Sequence, residues 1–317
     1  MESKFQTFSE KRDTMDQASG RFFFQPLDHF FHKNIEALAT MSEQLYENGM
    51  PVCRMIRSHE GQLVVTDGGV QGVLMQAPET EPAGAVSEGT ALASFQLFTT
   101  GIDPLAFPES PMYSRTAGMI QSIDTLMEKY RQIDSKSPQT AFEKLFYENF
   151  PYFSGCAENA IQLLTDLSID IRGREPAVIA HYRYTGRSTQ ILENPALWVI
   201  DGPSRDVAEW LRLHAWNRGG KAFELEVDTF LTDYEAMYPL DPSHAVRTFA
   251  RLLFPLSYIE CCERYFWGPG DQDHQWFCEM IRLNEEKIAD YEHLLKRLAR
   301  RYAGIRVPEW ITGEMTG

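Results

Sequence analysis

What this chain lacks excludes several kinds of protein. Cysteine is scarce: Cys53, Cys156, Cys261, Cys262 and Cys278 form an odd-numbered set in 317 residues, without a CxxC pair. Such spacing suits neither a disulfide framework nor a zinc site, and buried thiols in a reducing compartment are the expectation. No apolar run approaches the roughly 20 residues of a membrane span. The opening MESKFQTFSEKRD has no apolar stretch of the kind a secretion signal needs. A soluble chain, made and kept inside a cell, is therefore expected. Positive charge is outnumbered, with 30 Lys and Arg against 45 Asp and Glu and a net charge of −15. General nucleic-acid binding and adhesion to an anionic membrane both need a basic face, so both are disfavoured. A glycine-rich phosphate loop is missing as well: no GxGxxG occurs, and only Gly20 precedes Arg21. GxSxG and zinc-ligand patterns are also absent, and no Asp occurs between Ile171 and Asp201.

What remains is ordinary for a folded protein, 43% hydrophobic and 24% charged, and long enough for one large domain or two smaller ones. Residues 1–76 read as a small mixed lobe. Arg21 to Gln25 is an aromatic strand ended by Pro26, and Phe31 to Asn48 has helical spacing before the Gly49 stop. Val52 to Arg57 and Gln62 to Thr66 read as a hairpin across Ser58–Gly61. A strand from Gly72 to Gln76 follows the Asp67-Gly68-Gly69 turn. Residues 77–84, rich in Pro and Gly, are the expected hinge. Residues 85–317 read as a mostly helical lobe. Its expected helices are 86–100, 114–132, 139–149, 157–167, 204–217, 222–236, 243–254 and 272–302. The stretch 177–206 interrupts them with two strands. The architecture is therefore α+β, a small strand-helix-meander lobe beside a large helical one.

That layout resembles the aminoglycoside-phosphotransferase branch of the protein-kinase-like fold, and within it the CotS/YutH-type spore-coat proteins of endospore-forming bacteria, the YutH type most closely. The resemblance spans about Arg21 to Tyr302. Its carriers are GRFFFQPLDHFFHKNIEALATMSEQLYENGMPV, ALWVIDGPSRDVAEWL and, more weakly, ALASFQLFTTG. It implies synthesis in the mother-cell cytoplasm, residence in the spore coat, and other coat proteins as partners.

The resemblance also tells which residues transfer of phosphate from ATP would use. Gln25 stands where the family places its phosphate-holding lysine, and a neutral amide cannot offset a triphosphate. Glu36 or Glu43 would be that lysine's partner, but without the cation both read as solvated helix acids. The His-Gly-Asp loop falls on His181-Tyr182-Arg183. Arg183 in the aspartate's place cannot accept a proton, because arginine stays protonated. Ser188 or Thr189 occupies the place of the metal-binding Asn. Asp201 matches the metal-holding aspartate, with a helix-start acid as its plainer role. Asp206 matches the buried acid that braces the catalytic loop, and His181 reads as a hydrogen-bonded core residue.

Other groups carry less. His29 and His32 flank Phe30-Phe31 and read as a helix start rather than a metal pair. The basic residues Lys287, Lys296, Arg297, Arg300 and Arg301 suit a helix C-terminus, with docking as the other option. The leading expectation is thus a degenerate, non-catalytic kinase-like coat protein without cofactor, its catalytic loop degenerate over 177–206. The rival is an active phosphotransferase using ATP and Mg²⁺ with altered residues. A third option is a switch that binds nucleotide without transferring phosphate. Arg183 is expected to close the former site through a salt bridge to Asp201 or Asp206.

Overall fold

The computed structural model describes residues 22–78, 86–112, 114–170, 175–186, 194–217, 220–269, 273–302 and 305–312. Its first part is a four-stranded antiparallel sheet with one helix: β1 (Phe22–Pro26), α1 (Ile35–Glu47), β2 (Arg54–Ile56), β3 (Val64–Asp67) and β4 (Val70–Gln76). β1 runs along one edge of β4, with Gln25 opposite Val73. β2 and β3 lie end to end along the other edge, Met55 opposite Met75 and Val64 opposite Val73. The expected hairpin between residues 52–57 and 62–66 is therefore replaced by two strands sharing β4. The turn between them is tight, Gly61 N donating to Ser58 O at 2.9 Å, and sends the chain onward along β4 rather than back beside β2.

α1 begins four residues later than the periodicity predicts. The Asn34 side chain caps it by accepting from Ala37 N at 3.2 Å, and Phe31 N is committed to Ala196 O at 3.0 Å. Gly49, at φ 80°, ends it in the left-handed conformation that glycine adopts without strain. Leu38, Ala39, Ser42 and Leu45 form the buried face.

Helices dominate the rest: α2 (Glu88–Phe98), α3 (Arg115–Lys136), α4 (Ala141–Asp170), α5 (Ser204–Asn217), α6 (Gly220–Met237), α7 (Pro242–Leu253), α8 (Leu256–Trp267), α9 (His274–Glu286), α10 (Ile288–Arg301) and α11 (Glu309–Thr312). Between α4 and α5 lies the antiparallel pair β5 (Val178–His181) and β6 (Trp198–Asp201), all eight residues buried. Three differences from expectation have physical causes. α4 is one helix through Pro151 instead of two, because Phe142, Phe146, Phe150, Phe153, Ala157, Ala160 and Leu164 bury one continuous stripe that outweighs the lost backbone bond. The expected helix 272–302 is broken at Lys287. At 3.6 residues per turn a straight helix would set Leu294 about 100° round from Phe277, and both are buried in the same core. α8, unforeseen, packs Tyr258, Ile259 and Cys262 inward.

Two apolar cores result among the described residues. The larger gathers the helices around Phe146, Trp210, Phe249 and Leu294. The smaller joins Leu38, Val73 and Met75 of the sheet part to Phe95 of α2 and to Ile179, Trp198 and Ile200 of the β5–β6 pair. The pair thus sits against the sheet part on one face. Ala77 and Pro78 are the described beginning of the expected hinge; residues 79–84 lie outside the described residues.

Candidate functional site

β5 carries the chain into the loop that begins at Tyr182, and α5 starts beside it. Asp206, in the first turn of α5, is fully buried. Its Oδ1 accepts from His181 N at 2.9 Å and its Oδ2 lies 2.8 Å from His181 Nδ1. Gln96 Nε2 also approaches Oδ2, at 3.5 Å, and the Gln96 Oε1 accepts from the Tyr234 hydroxyl at 2.5 Å. One carboxylate therefore fixes both the backbone and the ring of His181, ahead of the loop. The close passage of α2 over α6 that brings Gln96 there requires Gly89, since a Cβ would collide with the Phe230 carbonyl.

Gln25 is only 2% exposed. Its Nε2 donates to His29 Nδ1 at 2.9 Å, and its Oε1 accepts from Asn194 Nδ2 at 3.2 Å. Asn194 Oδ1 in turn accepts from Ala196 N at 3.0 Å. The Gln25 amide, expected in the lysine's place, thus meets another amide, Asn194, and neither Asp201 nor a glutamate of α1. Glu36 and Glu43 instead hold Arg57 and Arg54, each at 2.6 Å.

Asp201 stands at the opposite end of the strand pair. It faces Val178, whereas His181, next to the loop, faces Trp198. Fully buried, it lies in a nest of arginines. Its Oδ1 accepts from Gly202 N at 2.7 Å and pairs with Arg115, while Oδ2 accepts from Arg251 at 2.9 Å and Arg205 at 3.1 Å. Arg205 also donates to the carbonyls of His181 (2.8 Å) and Tyr182 (3.1 Å), tying the two ends together. Beside Asp201 sits Glu175, whose Oε1 accepts from Ser204 N at 3.0 Å. Gly202 leaves room for that carboxylate, which a Cβ would strike. Burial is the largest influence on these groups. It lowers Arg205 and Arg251 to about 10, aided for Arg205 by Arg251, and holds Arg115 well below the usual arginine value, with Arg251 adding to it. Burial pushes Glu175 up, but Arg115 and Arg251 outweigh it and its carboxyl falls below the usual value.

Arg183 does not reach Asp201 or Asp206, so the expected salt bridge is corrected. Arg205 already occupies Asp201, and His181 occupies Asp206. Arg183 turns to Glu260 of α8, with Glu209 of α5 at 3.8 Å. Burial lowers its pKa most, yet Glu209 and Glu260 together raise it above the ordinary value. Ser188 and Thr189 lie outside the described residues. The basic residues of α10 are largely consumed by acids, Arg297 by Asp228 and Glu224 and Arg301 by Glu235. His32 is buried, its Nε2 accepting from Ile200 N at 3.0 Å, not a ligand partner of His29.

A magnesium ion does not fit Asp201, the one of its expected donors among the described residues. Both oxygens of Asp201 are engaged by three guanidiniums and a backbone N–H, and Mg²⁺ demands an open octahedron of oxygens. Among the described residues no group of three His, Cys, Asp or Glu could hold a metal ion, and no helix is long and apolar enough to cross a membrane. Sequence reasoning missed Asn194, Glu175, Arg115 and Arg251. The i,i+4 spacing of Arg247 and Arg251 on α7, beside the buried Phe249, Leu252 and Leu253, was a signal for the last; Arg115 and Glu175 are distant in sequence and carried none.

Comparison with known proteins agrees with this frame. Residues 1–298 match the family model described as "Spore coat putative kinase YutH". The chain is 30% identical over 288 residues to the endospore coat-associated protein YutH of Bacillus subtilis strain 168, covering 86% of this chain and 82% of that protein. Among solved structures, an aminoglycoside phosphotransferase from Alicyclobacillus acidocaldarius superposes with a TM-score of 0.65 at 13% identity, over 90% of this chain and 88% of that one. The fold is accordingly the mixed α/β, kinase-like fold of the aminoglycoside phosphotransferases, and the chain belongs to the YutH family of spore coat proteins.

Proposed function

We propose that this chain is a pseudokinase of the spore coat, acting in coat assembly by binding rather than by phosphate transfer. The observation that carries the reading is the state of Asp201: the acid matched to the metal-holding aspartate is buried and fully engaged by Arg115, Arg205 and Arg251. Arg183 in the proton-accepting place and the Gln25–Asn194 amide pair support it. A lysine-to-phosphate contact is a charge-assisted bond of about 1.5–3 kcal/mol, and its loss together with the metal leaves little to hold ATP. In this reading residues 1–76 are the small lobe, 77–84 the hinge and 85–317 the helical lobe. The protein is made in the mother-cell cytoplasm and joins the coat through other coat proteins.

The test is a thermal-shift titration with millimolar ATP, with and without Mg²⁺, followed by an assay for transfer of the terminal phosphate. No metal-dependent rise in melting temperature and no transfer are expected. A rise of several degrees that requires Mg²⁺, or measurable transfer, overturns the proposal in favour of an active phosphotransferase.

A further inference from the structure

We propose that the arginine cluster beside Asp201 is a binding site for a phosphoryl dianion, centred on Arg115 and Arg247. Among the described residues, four guanidiniums, those of Arg115, Arg205, Arg247 and Arg251, surround two carboxylates, those of Asp201 and Glu175, leaving two positive charges in excess. The nearby acids do not cancel this excess. Asp206 is held by His181 and Gln96, and Glu209 and Glu260 by Arg212 and Arg183.

The excess is placed at a rim. The Asp201 and Glu175 side chains are 0% and 3% exposed, whereas those of Arg115 and Arg247 are 13% and 16% exposed. Both arginines approach the same atom, Glu175 Oε2, at 4.0 and 3.8 Å, beyond hydrogen-bond reach. The Nε atoms of both are buried from solvent and lack a hydrogen-bond partner among the described residues. Two forks converging on one carboxylate oxygen, neither bonded to it, present the planar donor geometry that phosphate oxygens accept. Arg115 is paired with Asp201, but the contact of Arg247 to an acid is 3.8 Å long. An underpaired buried cation is costly, so a dianion bridging Arg247 to Arg115 would relieve the site. Arg205 and Arg251 are spent on backbone, Ser204 and Asp201, and serve to position the rim.

The ligand chemistry is a phosphate group, either free phosphate or one carried on a phosphorylated side chain. The experiment titrates the full chain with inorganic phosphate at constant ionic strength, with chloride as control, followed by phosphorus NMR line broadening. A parallel arm uses a phosphoserine peptide against its unphosphorylated twin. Saturable binding in at least one arm is expected, falling about tenfold or more in Arg247→Gln, as loss of one charge-assisted contact implies. Which arm binds tells which source the site takes. Should Arg247→Gln fail to fold, Arg247→Lys retains the charge without the fork, and a clear loss of affinity is expected there. Equal response to chloride, no saturation in either arm, or affinity undiminished in a folded Arg247 variant overturns the proposal. Binding here requires no Mg²⁺, so its outcome is separable from the nucleotide test of the cleft.

Discussion

At the scale of single residues, Arg183 and Asp201 have partners other than the expected ones, which were Asp201 or Asp206 for Arg183 and Arg183 for Asp201. Asp201 is the buried keystone, and Arg183 is a partly exposed bridge between α5 and α8. Replacing Asp201 by Ala leaves three guanidiniums facing one another, a change that costs about 3–5 kcal/mol where a buried pair is broken. Replacing Arg183 by Ala costs less, about 1 kcal/mol, because Glu209 keeps Arg212 and Glu260 is a third exposed. Arg183→Asp gathers three carboxylates and is expected to fall between the two, without gaining transfer activity. Urea midpoints of the three variants check the ranking; an Asp201→Ala midpoint no lower than that of Arg183→Ala would sink it. The absence of any Asp between Ile171 and Asp201 was legible in sequence and needs no structure to be seen. The partners of Arg183 and Asp201 were not. Glu260 and Glu209 come to Arg183 only through the packing of α5 and α8, and a matched motif says nothing of which end of the β5–β6 pair a residue occupies.

Among the elements, the β5–β6 pair does the most to join the molecule. Beyond its own ladder, β6 is gripped from the sheet part by His32, whose Nε2 accepts from Ile200 N, and from between α2 and α3 by Ser110, whose hydroxyl donates to Ile200 O. An accepting Nε2 requires the neutral ring. Burial lowers the His32 pKa from 6.5 and is the dominant influence, opposed by Glu109, 3.5 Å from Nδ1; Phe31 and Phe107 are the other ring neighbours. The folded state therefore binds fewer protons at His32 than the unfolded chain does. Stability from this group is full above pH 6.5 and is lost as pH falls below it. Melting curves at stepwise lower pH should show the native chain losing stability faster than His32→Gln, whose side chain keeps an acceptor but does not titrate. Parallel curves would exclude this role for His32. Helix positions were mostly readable from apolar period and caps. Failures fell where tertiary contact overrode local signals: Pro151 inside α4, the turn at Lys287, and β2 and β3 both choosing β4 as partner.

For the whole molecule, the important fact is that the smaller core does not belong to the sheet part alone. Leu38, Val73 and Met75 are packed with Phe95, Phe107, Ile179, Trp198 and Ile200, which come from far along the chain. Trp198 and Ile200 are completely buried. Composition alone allowed one domain or two, and the shift from strands to helices suggested an expected division at 77–84. Neither reveals a shared core, because the residues that make it are spread over the sequence and look like ordinary strand and helix interiors. Removing everything after residue 84 would uncover the inner face of the sheet and of α1. Each large apolar side chain so exposed forfeits about 1.5–3 kcal/mol, more in sum than the stability of a small domain, about 5–15 kcal/mol in all. A fragment of residues 1–84 should consequently fail to unfold cooperatively, and the full chain should melt in one transition seen alike by far-ultraviolet circular dichroism and by tryptophan fluorescence. Trp198 makes the second probe direct: it is fully buried on β6 in the core shared with Leu38, Val73 and Met75, so separation of the sheet part from the helices would change its emission. Two resolved transitions, or a fragment that melts sharply by itself, would show that the sheet part is an independent unit and that the buried contacts to β5 and β6 contribute little to holding it.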